Sequence, residues 1–424
     1  MKKPARTCKM VSVAIDSNIS FSYNSEVIML KGKCVVLGVT GSIAAYKIAN
    51  LASALVKLHA DVNVIMTKNA TNFINPITFE TLTSNKCLVD TFDRNFQFNV
   101  EHVALAKRAD IFMVAPASAN VIGKIAGGIA DDMLTTTIMA AKCKKFISPA
   151  MNTNMFENPI VQDNLEKLRK YGYEIIDPAS GYLACGDTGA GKMPEPDVLL
   201  QYILRELAHE HDLSGKRVMI TAGPTEEAID PVRYITNHST GKMGYAIAKV
   251  AMERGAKVTL VSGPVAIDPP MFVDVVNVRS AAEMADAVKQ RAGENDIIIK
   301  SAAVADYRPS TVATEKIKKK DGEASSIELE RTEDILSYLG AHKRDDQFIC
   351  GFSMETENML ENSKKKLKKK NVDMIVANNL RTEGAGFGTD TNVVTIIMAD
   401  ETWQLPIMSK EEVANSIFDT ILGK

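Results

Sequence analysis

Cys185 stands alone in the run "GYLACGDTGAGKMPEPD", and a thiol so placed can do chemistry where its surroundings tune its pKa. Isolated cysteines also serve as small buried hydrophobes, so the residue alone selects neither role. The next eight residues, "GDTGAGKM" (186–193), nearly spell the G-x-x-x-x-G-K-[ST] loop that cradles phosphates on backbone N–H groups. Three features argue against that chemistry. Met193 replaces the hydroxyl that would ligate magnesium. Pro194 and Pro196 interrupt the helix that should follow, and "DPASGYLAC" is no apolar lead-in strand. A mobile glycine-rich loop carrying Cys185 fits better. His102, opening "EHVALAKRAD", is a titratable candidate that could equally cap a helix, and Asn152 in "SPAMNTNMFENP" could be ordinary turn material. Farther along, Asp306 ends "KSAAVAD", and Lys316 and Lys318 to Lys320 form a basic cluster. "KKKLKKK" at 364–370 puts Lys366 and Lys370 on one helix face, suited to a triphosphate or to solvent.

The elements that must position these residues repeat in two halves. "LKGKCVVLGVTGS" predicts a strand over 33–39 and a small-residue turn, and "IAAYKIANLASALVKLHA" follows with helical periodicity. "LSGKRVMITAGPT" restarts the same grammar. "DVNVIMT" and "ADIFMVAPAS" in the first half match "KVTLVSG" and "NDIIIKSAAVAD" in the second. Strands this apolar have no wet face, which predicts parallel sheets covered by helices on both sides, an α/β class of two doubly wound, Rossmann-like domains. Asn158-Pro159 predicts a capped helix stopped at Gly172, and "SAAE" at 280–283 predicts a capping box. The boundary is expected in the polar segment 208–215. In such sheets ligands sit beyond the C-terminal strand ends. The loops "GVTGSIAAYK", "APASAN", "TAGPTEE" and "SAAVADYRP" are therefore where function should lie. Neither half carries G-x-G-x-x-G after its first strand or an acid closing its second, which argues against a dinucleotide enzyme.

Composition bounds the rest. The 424 residues are 46% hydrophobic and 24% charged with a net charge of -2, a soluble globular pattern long enough for two or three cores and without a global pull towards nucleic acid. The six cysteines show neither C-x-x-C pairs nor ligand-like spacing to histidine, so a reducing, cytoplasmic setting is the expectation. No apolar run approaches the roughly 20 residues that span a bilayer, and the opening 30 residues lack a signal-peptide core. Those residues, 1–30, read as a disordered extension, or as an artefact of start choice with Met29 the true start.

Seven ordered motifs, "GSIAAYK", "APASANVIGKIAGGIADD", "PAMNTNMF", "ACGDTGAGKMPEP", "TAGPTEEAIDPVRYITNHSTGKMG", "AAVADYRP" and "EKIKKK", resemble the bifunctional enzymes of coenzyme A biosynthesis that fuse phosphopantothenoylcysteine decarboxylase to phosphopantothenate–cysteine ligase. The likeness runs from about Lys31 to the C-terminus. It implies a decarboxylase domain over 31–210 and a ligase domain over 211–424. The first half resembles FMN flavoproteins. The resemblance implies that flavin oxidises the thiol of 4'-phosphopantothenoylcysteine, that the thioaldehyde provides the electron sink for loss of CO2, and that the enethiol is reduced back to 4'-phosphopantetheine.

By the same resemblance His102 is the catalytic histidine, Asn152 holds the substrate carboxylate, and Cys185 donates a proton from a flap closing over the substrate. Gly41 and Ser42 suit the FMN phosphate, with Thr67, Ser118 and Asn120 as further flavin contacts. For the second half the resemblance implies an acyl-cytidylate made from 4'-phosphopantothenate and CTP, pyrophosphate release, attack by the amine of L-cysteine, and magnesium on the triphosphate with its ligands unassigned. Asp306, Lys300, Ser301, Ala302, Phe352, Lys366 and Lys370 are the implied CTP contacts. Lys316 would support turnover of nucleotide and acyl-cytidylate, and Asn237 conversion of that intermediate. "GFSMET" departs from the commoner Gly-Phe-Ala-Ala-Glu-Thr of the family, and Lys300 occupies a variable position. Trimeric decarboxylase domains and dimeric ligase domains would combine in a homo-oligomer, a dodecamer if both symmetries hold. A flavin-binding regulator without enzymatic activity is the rival of another class, opposed by the joint presence of His102, Asn152 and Cys185.

Overall fold

The computed structural model describes residues 30–92, 101–182, 188–318, 326–355, 359–379, 386 and 388–424. They fall into two compact units, one ending at Met193 and the other beginning at Pro194. Cys185, Lys319 and Lys320 lie outside the described residues, as does the segment 1–29.

In the first unit five strands, β1 (Cys34–Val39), β2 (Asp61–Met66), β3 (Ile111–Ala117), β4 (Lys144–Pro149) and β5 (Tyr173–Ile175), pair in parallel in the order β2-β1-β3-β4-β5. Every residue of β1 and β3 is buried, as the unbroken apolar runs required. On one face Val36, Phe112, Val114 and Ile147 pack with Leu134, Ile138, Leu165 and Leu168. The order reverses between β1 and β3, which opens a crevice at their C-terminal ends. The helix Pro159–Lys170 forms as its sequence predicts. Asn158 Oδ1 accepts from Ile160 N–H at 3.0 Å, proline takes the first position, and Gly172 follows at φ 84°.

The described part of the phosphate-loop spelling forms a strand. Strand β6 (Ala179–Tyr182) pairs antiparallel with β7 (Thr188–Lys192), and Met193 after it is buried.

The main sheet of the second unit has eight strands: β8 (Arg217–Ala222), β9 (Lys257–Ser262), β10 (Asp274–Asn277), β11 (Ile297–Lys300), β12 (Phe348–Glu355), β13 (Met374–Asn379), β14 (Val394–Ile397) and β15 (Thr402–Gln404). Their order is β10-β9-β8-β11-β12-β13-β14-β15, parallel as far as β13 and antiparallel beyond. Residues 398–401 between β14 and β15 are too few for a crossover. The compact unit begins before the polar segment 208–215 because the helix Pro196–Leu207 packs on this side. Tyr202 meets Phe272 edge-on with ring centres 4.8 Å apart, and the Arg205 guanidinium lies 4.5 Å from the same ring. The "SAAE" capping box forms by half. Ser280 Oγ accepts from Glu283 N–H at 3.2 Å, but the Glu283 carboxylate accepts from Arg279 N–H, one residue before the cap, at 2.7 Å.

Glu253, ending the helix Lys242–Glu253, is the anomaly of this core. Its side chain is 1% exposed and neither oxygen accepts a hydrogen bond; Lys249 lies at 3.9 Å, and the imidazole of His209, which burial pushes towards its neutral form, at 3.6 Å. Burial pushes its pKa up from 4.5 to about 7, against the pull of Lys249 and with the help of Glu411. The folded chain therefore binds more protons than the unfolded one between those two values, so stability falls as pH rises through that window and levels off above it. Glu253→Gln should stabilise the protein by about 1–2 kcal/mol near pH 8, with the gain vanishing towards about pH 5. Denaturant unfolding of both proteins across that range checks it. A gain independent of pH would mean that the carboxyl does not titrate in the core.

Candidate active sites

At the C-terminal edge of the first sheet the strand ends are locked together. Thr40 donates through Oγ1 to Pro116 O at 2.6 Å and accepts there from Ser118 N–H at 2.9 Å, joining β1 to β3 across the crevice. Thr67 N–H donates to Val39 O, and Ala150 N–H to Ala117 O, both at 3.0 Å. Gly41, Ser42, Thr67, Ser118 and Asn120 are thereby gathered on neighbouring strand ends. Thr67 is the most enclosed, with Oγ1 accepting from Ala70 N–H at 3.3 Å. At Gly41 a Cβ would lie 2.8 Å from that of Asn69, so the backbone stays bare at the mouth of the crevice.

Two helices start here, Ala45–Lys57 and Ala119–Gly127. Neither Ala44 nor Ser118 caps its helix with a side chain, and the first turns carry only neutral or basic residues, Ala45-Tyr46-Lys47 and Ala119-Asn120-Val121. Paired N-termini with this charge pattern favour an anion, so these residues fit the phosphate of a flavin mononucleotide. His102 lies half-buried in the first turn of the helix Glu101–Arg108, which runs back to β3 and so begins on the same side of the sheet.

Asn152 comes from the end of β4. Its Oδ1 accepts from Asn154 N–H at 2.9 Å, capping the short helix Thr153–Phe156. The hairpin strand β7 presses on this segment. Met151 N–H donates to Gly191 O at 3.0 Å, and Thr153 Oγ1 to Ala190 O at 2.9 Å. Gly191 has φ 119°, and a Cβ there would sit 2.3 Å from Met151 O. The glycines of "GDTGAGKM" thus include contacts fixed by close approach, whereas the sequence suggested only a freely mobile loop. Gly191→Ala should lower stability by on the order of 1–3 kcal/mol and weaken any reaction that depends on Asn152. Thermal unfolding together with turnover checks it, and a wild-type melting curve would contradict it.

In the second unit the C-terminal ends of β8, β11, β12 and β13 surround a cleft of about 500 Å³, which shares Lys300, Val304, Asp306, Phe352 and Lys366 with a neighbour of about 410 Å³. Ser301, Ala302 and Asn237 line the first. The loop after β11 is fixed from both sides. Ala302 N–H donates to Thr221 Oγ1 (3.2 Å), Ala303 N–H to Gly223 O (2.9 Å) and Ala305 N–H to Thr225 Oγ1 (3.0 Å), while Asn237 Nδ2 donates to Ala303 O at 2.9 Å. Lys300 turns into this region and donates to Ala302 O at 3.0 Å. Burial, then the charge of Lys366, lowers its pKa to about 8, with Asp334 and Asp306 opposing.

Lys316 and Lys370 are not among the residues lining these clefts. Lys370 shares a helix face with Lys366, but one turn later it reaches the carboxylate of Asp334 and, at 2.7 Å, Ser337 Oγ. Asp334, capping the helix Ile335–Ala341, itself lines the second cleft. Lys316 is exposed.

Two cationic residues escaped the sequence reading. Lys242 follows Gly241 at a helix start and reaches Asp390 Oδ1 at 2.7 Å and Gly388 O at 3.0 Å. Lys410 donates to Thr391 O at 3.1 Å, Gly386 O at 3.3 Å and Thr389 O; burial, then Lys242, lowers its pKa to about 8, with Asp390 opposing. The one signal was electrostatic. A lysine in the first position of a helix faces the wrong end of the dipole and so has another task. Lys242, Lys300, Lys366 and Lys410 give the larger cleft the charge that a polyanion requires.

Among the described residues no group of three or more His, Cys, Asp or Glu side chains could hold a metal ion, and no helix is long and apolar enough to cross a membrane.

Residues 24–208 match the family model described as flavoprotein, and residues 213–423 that of the DNA/pantothenate metabolism flavoprotein C-terminal domain. The chain is 48% identical over 397 residues to the coenzyme A biosynthesis bifunctional protein CoaBC of Bacillus subtilis (strain 168), covering 93% of this chain and 97% of that protein. It is 45% identical over 355 residues, 82% of this chain and 99% of the other, to a cysteine/cysteine sulfinic acid decarboxylase of an unknown prokaryotic organism. A crystal structure of the C-terminal domain of a CoaBC protein is 50% identical, covering 49% of this chain and 95% of that one, with a TM-score of 0.42.

Proposed function

This chain belongs to the family of coenzyme A biosynthesis bifunctional proteins, and from that premise we propose how its two units divide the work. The second unit condenses 4'-phosphopantothenate with L-cysteine at the expense of CTP. The first decarboxylates the resulting 4'-phosphopantothenoylcysteine to 4'-phosphopantetheine. The observation that carries this division is that each sheet ends in its own anion-receptive site, uncapped helix starts in one and a cleft lined by Lys242, Lys300, Lys366 and Lys410 in the other.

In the first unit Gly41 and Ser42 would hold the phosphate of FMN, with Thr67, Ser118 and Asn120 as further contacts. When bound, FMN supplies the two-electron oxidation of the substrate thiol and the return of those electrons. Asn152 donates its amide N–H to the substrate carboxylate and so orients the bond that breaks. His102 exchanges protons beside the substrate, and Cys185, carried between β6 and β7, delivers a proton to the reacting carbon.

In the second unit Lys300 and Lys366 supply positive charge to the triphosphate, Asp306 contacts the nucleotide, and Phe352 gives it an apolar wall. Magnesium would come with the nucleotide and would supply neutralisation of the triphosphate charge, with no residue assigned to it. Lys316 steadies the charge that moves to pyrophosphate as the cytidylate forms. Asn237, tied to Ala303, shapes the path for the cysteine amine. Association through both units, trimeric in the first and dimeric in the second, belongs to the same reading.

Two assays on the flavin-loaded full chain test the division. Pyrophosphate release should require CTP and 4'-phosphopantothenate, and CO2 release should be far faster from 4'-phosphopantothenoylcysteine than from free cysteine. A preference for free cysteine would favour a role like that of the cysteine decarboxylase relative.

A further inference from the structure

Asp230 is a charged residue with no place in the reaction described above, yet it is among the most firmly held groups in the chain. Its side chain is closed to solvent. One carboxylate oxygen accepts from Val232 N–H at 2.8 Å and Arg233 N–H at 2.9 Å. The other accepts from Arg233 Nε at 3.1 Å, Arg233 Nη2 at 2.6 Å and Ile317 N–H at 3.1 Å. Arg233 Nη2 also donates to Ile317 O at 2.8 Å. Both backbone polar groups of Ile317 are therefore tied to one ion pair remote in sequence, and Ala313 N–H donates to Ile229 O at 3.0 Å beside it. These bonds do not close a core. The segment they pin exposes Val312 and Ile317 at 52% and 42%. What they fix is the path of an otherwise irregular stretch, and Lys316 is the residue immediately before the doubly held position. Asn237, farther along through the short strand Tyr234–Thr236, is held separately by its bond to Ala303 O.

We propose that Asp230 is a positioning residue of the ligase reaction: through Arg233 and both backbone groups of Ile317 it sets the course of residues 313–317, and with it the reach of Lys316. This rests on the reading that Lys316 acts in ligase turnover. An Asn at 230 keeps the size of the side chain and can still accept from Val232 and Arg233 N–H, but its NH2 cannot accept from Ile317 or the guanidinium.

The test uses the full-length, flavin-loaded protein carrying Asp230→Asn, Lys316→Ala, or both. Asp230→Asn should lower ligase kcat roughly 10–100-fold, as misplacement of a reacting group by an ångström does. The KM for CTP should change less than about threefold, and decarboxylation of supplied 4'-phosphopantothenoylcysteine should be unchanged, because a misplaced side chain affects the step that it serves rather than uniform binding. On the Lys316→Ala background Asp230→Asn should have almost no further effect. Equal factors on both backgrounds, or an undiminished single mutant, would overturn the inference while leaving the ligase reading intact. Full ligase turnover by Lys316→Ala would sink the reading beneath it, and the inference with it. Should Asp230→Asn not fold, Arg233→Lys keeps the charge but loses the planar fork. The same kcat loss, absent on the Lys316→Ala background, is expected of it, and the contrary pattern counts against the proposal equally.

Discussion

Asn152→Asp should lower decarboxylation of 4'-phosphopantothenoylcysteine by about 10²–10³-fold while leaving the ligase reaction and the melting temperature close to wild type. Aspartate caps a helix as well as asparagine does, so the bond to Asn154 N–H survives. What changes is the other half of the side chain. On the role proposed for Asn152, an N–H donor to the substrate carboxylate becomes a second carboxylate, and a charge-assisted bond worth about 1.5–3 kcal/mol is replaced by repulsion. The loss should soften at low pH as one acid of the pair takes up a proton. Steady-state CO2 release against pH checks this, and undiminished turnover would remove Asn152 from the site.

Lys366→Met should raise the KM for CTP by about 10–100-fold, the loss of one charged contact to a phosphate. Methionine retains much of the apolar stem, so packing changes little. A second effect follows from the geometry. Lys366 is the largest charge lowering the pKa of Lys300, after burial itself. Without it the Lys300 ammonium holds its proton to higher pH, and any alkaline limb of ligase turnover that reports Lys300 moves upward. A pH profile of kcat/KM for the variant reads this directly. A limb displaced to lower pH would contradict the arrangement of the two lysines.

Features encoded locally were the legible ones. The apolar runs of β1, β3 and β8 and the Asn158-Pro159 cap depend on burial on two faces or on a single turn, and they fold as their residues dictate. The loops after β1, β3 and β11 could be located because a parallel sheet always presents its C-terminal ends to ligands. Contacts made across long stretches of chain were not legible. "TGAGK" has poor strand propensity, and β7 exists because its glycines admit Met151 and Thr153 to the backbone. Lys410 and Lys242 converge from distant helices on the loop around Asp390. Helix periodicity put Lys370 on the face of Lys366 and left triphosphate and solvent both open; the resemblance made it a CTP contact, and neither could show that Asp334 meets it first. The roles proposed for Lys316 and Asn237 came only through resemblance, since nothing in the neighbouring residue types announces that Ile317, beside Lys316, is tied to Asp230 or Asn237 to Ala303.

The central claim is that one chain carries both reactions in sequence. The most direct measurement supplies purified, flavin-loaded protein with 4'-phosphopantothenate, L-cysteine, CTP and magnesium, and follows pyrophosphate, CO2 and the thiol product together. The account predicts equal amounts of pyrophosphate, CO2 and 4'-phosphopantetheine, with 4'-phosphopantothenoylcysteine rising and falling between them. Pyrophosphate without CO2, or CO2 from added 4'-phosphopantothenoylcysteine with no pyrophosphate formed from CTP, would contradict it.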